Sequence, residues 1–127
     1  QLVGSVPGSD SMVEFLRGSS PSVLAQPLSE LPPLRLCFID GDHHGDAPAN
    51  DYRGVRHYLN DDAVVLFHDF DLERYSVHEG VSAALADGFV AAVLPTSCSM
   101  TVCSRDAMTI RTVRNWAAST GLAVPER

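Results

Sequence analysis

The chain has 127 residues, 45% of them apolar, which suits one domain with its own core and excludes both a disordered chain and a disulfide-dependent miniprotein. Its formal charge of −7 and pI near 5.0 suit solubility and speak against a surface that holds nucleic acid through phosphate contacts. No run reaches membrane-spanning length, and the odd set of cysteines (Cys37, Cys98 and Cys103) reads as reduced thiols of a cytoplasmic protein rather than a zinc site.

Residues 1–11 read as loop, followed by a short strand over Val13–Arg17 that closes at Gly18-Ser19-Ser20. Ser20 as N-cap and Pro21 in the first turn open a helix with Val23, Leu24 and Leu28 on its apolar side, shortened by Pro27. Pro32-Pro33 imposes an extended lead-in to a strand over Leu34–Ile39. Gly45 to Pro48 is loop; Asn50 or Asp51 then caps a helix on which Tyr52, Val55, Arg56 and Leu59 share one face. Asn60-Asp61-Asp62 signals a turn before a strand over Ala63–Phe67.

Past a polar loop from Asp69 to Ser76, a helix spans Val77–Ala86, with Val81, Ala84 and Leu85 facing inward and Asp87-Gly88 ending it. Phe89–Leu94 is a strand stopped by Pro95, and Met100–Ser104 pairs with it as a hairpin. Asp106 caps a last helix carrying Ile110, Val113, Arg114 and Trp116, an apolar stripe that belongs to the core or to a homodimer contact. The order of elements predicts one α/β domain over residues 1–127, with a parallel centre and an antiparallel edge hairpin.

Two apolar runs dominate this pattern. Leu36-Cys37-Phe38-Ile39 ends in Asp40-Gly41-Asp42-His43-His44, and Val64-Val65-Leu66-Phe67 ends in His68-Asp69-Phe70. Continuous apolar strands of this kind read as buried on both faces, and ligands of open α/β sheets sit beyond the carboxyl ends of the strands. Asp40 and Asp69 then close neighbouring strands, a pairing of hard oxygens suited to Mg²⁺, Mn²⁺ or Ca²⁺. His43 lies in the loop above them as a candidate general base. His44 and His68 are further ligand candidates that shift the preference towards Mn²⁺, Fe²⁺ or Zn²⁺. The bland alternatives are loop-capping aspartates, a hydrogen-bonded structural His68, and surface positions for His57 and His78.

Phe38-Ile39-Asp40-Gly41-Asp42-His43, the helix bearing Tyr52-Arg53-Gly54-Val55, and Val65-Leu66-Phe67-His68-Asp69-Phe70 resemble class I S-adenosylmethionine-dependent methyltransferases. His78-Glu79-Gly80-Val81 and Val13–Ser20 extend the likeness, which covers residues 12 to 104. It is closest to the branch with an F-I-D-G-D-H strand end and an F-H-D-Y partner. The resemblance implies a Rossmann-like sheet, S-adenosylmethionine as cofactor, and methyl transfer to the hydroxyl of a small-molecule acceptor; the charge and the lack of a long apolar run lead us to expect neither nucleic acid nor membrane as partner. It places the cofactor near Ser19, Ser20, Asp40, Gly41, Asp42 and His43. It also makes His43 the base, and Asp40 and Asp69 the holders of Mg²⁺ or Mn²⁺, with His68 the further ligand candidate read from its strand end.

The chain departs from that family at named positions. No Gly-rich first loop is found, since Gly4 and Gly8 stand in no G-x-G-x-G, so the first βα unit is expected to be missing by amino-terminal truncation. Asp10 is the remaining candidate for the ribose-binding acid. Ser19 replaces an acidic residue, His44 to Asn50 form an insertion, and Phe70 stands where a metal-binding Asn often follows. Two other readings remain: a non-catalytic binding domain on the same fold, and a metal-dependent phosphoesterase suggested by Asp42-His43-His44.

Overall fold

The computed structural model describes residues 13–70, 75–97 and 99–121. They form helix α1 (Ala25–Ser29), strand β1 (Leu34–Ile39), helix α2 (Ala47–Val55), a 3-10 turn (Arg56–Tyr58) and strand β2 (Leu59–Phe67). Helix α3 (Val77–Ala86), strands β3 (Val90–Leu94) and β4 (Met100–Ser104), and helix α4 (Ala107–Ser119) complete the order. The four strands make one sheet in the order β1-β2-β4-β3. β1 and β2 pair in parallel, while β4 is antiparallel to both β2 and β3. Three strands therefore run one way and β4 alone runs back, in keeping with the expected α/β class. The hairpin of β3 and β4 forms as the sequence predicts, but its return strand is inserted against β2, so β3 takes the edge.

The sheet separates two cores. On one face α2 and α3 bury Tyr52, Val77, Val81 and Ala84 against Ile39, Val65, Phe67 and Cys103. On the other, Ile110 of α4 packs with Ala92 and Val102, and Val64 and Leu66 join them. The alternation along β2 explains this: Ala63, Val65 and Phe67 point to the first core, Val64 and Leu66 to the second. Trp116 of α4 is half exposed. No described helix is long and apolar enough to cross a membrane.

Several sequence expectations need correction. Residues 13–17 form no strand and are exposed. Turns span residues 20–24, and α1 starts only at Ala25, with Pro27 inside its first turn, where a missing N–H costs nothing. α2 begins at Ala47, with Pro48 in its first turn, so Asn50 and Asp51 lie within the helix and cap nothing. Asn60-Asp61-Asp62 belong to β2 and meet β1 across an irregular register between Leu34 and Leu36. Leu85 is 46% exposed rather than inward-facing. Neither is β1 buried on both faces: on this edge strand Leu36 is 62% and Phe38 52% exposed.

Candidate active site at the carboxyl ends of β1 and β2

Parallel pairing puts Ile39 opposite Phe67, and the His68 N–H donates to the Ile39 carbonyl, carrying the ladder one residue past the strands. Asp40 and His68 are thereby set side by side, with His68 Nδ1 3.2 Å from Asp40 Oδ1. Asp69 takes a left-handed conformation (φ 57°), which aspartate tolerates better than most residues. Its carboxylate meets both imidazoles: Oδ1 lies 3.2 Å from His68 Nδ1 and Oδ2 3.4 Å from His43 Nε2. His43 Nε2 is also 3.6 Å from Asp40 Oδ1.

His43 is held from several sides. Its Nδ1 bonds the Gly41 carbonyl, its own carbonyl accepts from Ser76 N–H at 2.7 Å, and its ring lies 4.9 Å from that of Tyr75. A carbonyl only accepts, so Nδ1 carries the proton. His43 Nε2 and His68 Nδ1 are both buried and make no hydrogen bond. Donor atoms of Asp40, His43 and His68 lie within 4.8 Å of one another. Buried nitrogens without hydrogen bonds, facing carboxylate oxygens, are donors suited to a divalent cation. The residues present therefore fit a metal group, with Asp69 flanking it.

The other predicted residues fall beside this cluster. Ser19, Ser20 and Asp42 line a polar cleft of about 570 Å³ together with Asp46, Asn50 and Asp51. Asp40 and Gly41 line a neighbouring groove of about 470 Å³ whose apolar wall includes Leu24, Leu36 and Phe38. Ser20 and Asp51 belong to both. Asp42 is exposed, and bonds from the His44 ring and backbone N–H hold its carboxyl below the usual range. His44 thus serves Asp42 and stands apart from the Asp40 cluster. His57 and His78 are exposed, as expected.

Sequence reasoning passed over Asp46, Asn50 and Asp51 as cleft residues. Their signal was a one-turn repeat of polar side chains at positions 46 and 50 just past a strand end, which marks one helix face turned to the site. Tyr75 was likewise missed; nothing in its local sequence points to His43. Asp10 lies outside the described residues.

An α/β sheet with helices on both faces, and with clefts at the carboxyl ends of its parallel strands, defines a domain of the Rossmann-like class. Residues 2–70, more than half of the 127, match the family described as "Methyltransferase domain", and the chain belongs to that family. No curated protein and no solved structure is significantly similar to it.

Proposed function

We propose that the protein is an S-adenosylmethionine-dependent methyltransferase acting on a small-molecule hydroxyl, with a divalent cation assisting. The observation that carries this reading is the two-part cleft at the end of β1. Its polar half, bounded by Ser19, Ser20, Asp42 and Asp51, offers acceptors for ribose hydroxyls and negative charge for a sulfonium. Its apolar half, along Leu24 and Leu36, offers a surface for a purine ring. Cleft volumes of this order suit a ligand the size of a nucleoside conjugate.

The chemistry needs three things from the chain. Residues 19, 20, 42 and 51 hold the cofactor so that its methyl group faces the strand ends, converting a two-body encounter into an oriented one. Asp40, Asp69 and His68 would hold the cation, which when bound lowers the pKa of an acceptor hydroxyl and fixes it in place. S-adenosylmethionine, when bound, would supply an electrophilic methyl group to the acceptor hydroxyl and leave as S-adenosylhomocysteine, and a base at this edge, with His43 as the candidate from sequence, would take the hydroxyl proton.

A second reading, a methyltransferase-fold binding domain without catalysis, draws on the lack of a G-x-G-x-G loop in the sequence. The phosphoesterase reading has less behind it. Asp42 and His44 pair with each other at the surface, while His43 turns inward to Asp40 and Asp69. Calorimetric titration of the protein with S-adenosylhomocysteine separates these readings. One-to-one binding supports the first, and no binding to the folded protein rejects it.

A further inference from the structure

We infer that His43 is a metal ligand through Nε2, so that Asp40, His43 and His68 form a two-imidazole, one-carboxylate site for a borderline divalent ion such as Mn²⁺, Fe²⁺, Co²⁺ or Zn²⁺. The inference rests on the methyl-transfer reading and changes two assignments within it: His43 leaves proton transfer, and it takes the place of Asp69 among the residues that would hold the cation.

Three observations converge on this. First, Nδ1 of His43 is spent on the Gly41 carbonyl, which leaves Nε2 as the lone-pair nitrogen. A ring N–H given to a backbone carbonyl while the other nitrogen binds metal is the usual arrangement of a ligating histidine.

Second, Nε2 has no exposed surface and no hydrogen bond, as is true of Nδ1 of His68. A general base must come within about 3 Å of the proton that it takes. A nitrogen enclosed between Asp40 and Asp69 does not meet an acceptor arriving from solvent. The Nε2 lone pair of His43 faces carboxylate oxygens that repel it, so positive charge is needed between these groups. The carboxylate contacts of both imidazoles, at 3.2–3.6 Å, lack hydrogen-bond geometry. One shared cation satisfies both nitrogens.

Third, the spacing fits. Ligands placed tetrahedrally about 2.1 Å from an ion stand roughly 3.4 Å apart. The His43–Asp40 and His68–Asp40 separations are 3.6 and 3.2 Å. Two imidazole nitrogens beside a single carboxylate select borderline metals over Mg²⁺ and Ca²⁺, which prefer all-oxygen shells.

The test is pulsed electron paramagnetic resonance of the Mn²⁺-loaded protein, read for ¹⁴N coupling, beside calorimetry with Co²⁺ and Mg²⁺. The expected result is coupling to two imidazole nitrogens in the native protein and to one in His43→Gln. Co²⁺ should bind more tightly than Mg²⁺, and the variant should lose roughly 10- to 100-fold in Co²⁺ affinity. One nitrogen or none in the native protein overturns the inference even if the variant does not fold. Tighter binding of Mg²⁺ than of Co²⁺ overturns it as well. Titration of the same sample with S-adenosylhomocysteine keeps the two ideas apart. Cofactor binding with an all-oxygen metal shell leaves methyl transfer standing alone, and a two-nitrogen metal without cofactor binding leaves the metal site alone.

Discussion

Ser20 Oγ donates to Asp51 Oδ1 at 2.6 Å, tying the turns before α1 to the middle of α2 across 31 residues of sequence. The bond stands where the polar and apolar halves of the cleft meet. Asp51→Ala removes both the tie and one carboxylate from the cofactor surface. Its expected effect is a loss of about tenfold in S-adenosylhomocysteine affinity, on the order of 1.5 kcal/mol for a hydrogen bond to a charged group. Calorimetry of the two proteins reads this. Equal affinity would remove Asp51 from the site.

Two glycines distinguish cleft from core. A Cβ on Gly80 would lie 2.7 Å from the Phe67 ring and 3.0 Å from the Pro48 carbonyl oxygen, both fixed in the interior. Gly80→Ala should therefore cost about 1–3 kcal/mol in urea unfolding. A Cβ on Gly54 would meet Pro21 Cβ at 2.2 Å, and Pro21 belongs to the wall of the polar cleft. Gly54→Ala should displace that wall and weaken cofactor binding with a smaller loss of stability. The reverse ranking of the two variants in unfolding free energy would contradict this packing.

Tyr52 is fully buried, and its hydroxyl donates to Asp87 Oδ2 at 2.9 Å, joined there by Arg56. Burial, with the Asp87 bond and charge added, raises its pKa. Tyr52→Phe leaves a half-buried carboxylate short of one donor, and a loss of about 1–3 kcal/mol follows. Thermal unfolding of the variant at pH 7 measures it, and an unchanged midpoint would show that Arg56 suffices for Asp87.

Alkaline pH should destabilise the fold. Burial pushes the Cys103 thiol up to about 12; burial first, and then the Asp51 charge, pushes that of Cys37 to about 11. Unfolded thiols ionise near 8.5, so between about 8.5 and 11 the native state holds more protons and stability falls as pH rises, by roughly 1.4 kcal/mol per pH unit for each thiol. Denaturant unfolding at pH 7, 9 and 10, in a Cys98→Ser background, reads the slope. A flat profile would mean that these thiols are not buried as described.

Much of the strand framework was legible because its signals are local. The apolar run into Asp40 gave β1 with its bounds, the 3.6-residue pattern closed by Asp87-Gly88 gave α3, and Asp106 does cap α4 by accepting from Met108 and Thr109 N–H. Errors arose where tertiary context overrides local preference. Asn60-Asp61-Asp62 carries turn chemistry but extends β2, with Arg35 of β1 reaching Asp62 at 2.9 Å. The insertion of β4 between β2 and β3 is a long-range pairing that no local pattern encodes. At the site, Asp40 and Asp69 were visible as strand-terminal carboxylates. The inward turn of His43 was not, because it depends on Gly41, Tyr75 and Ser76 together.

The central claim is that the carboxyl ends of β1 and β2 bind an adenosyl cofactor. A ¹H–¹⁵N correlation titration with S-adenosylhomocysteine tests it most directly, residue by residue. The account predicts saturable shifts at Gly18, Ser19, Ser20, Gly41, Asp42 and Asp51, and none at Arg56 or Arg105, which lie at the other, amino-terminal ends of the parallel strands. An unshifted spectrum, or shifts gathered around Arg56 and Arg105, would contradict it.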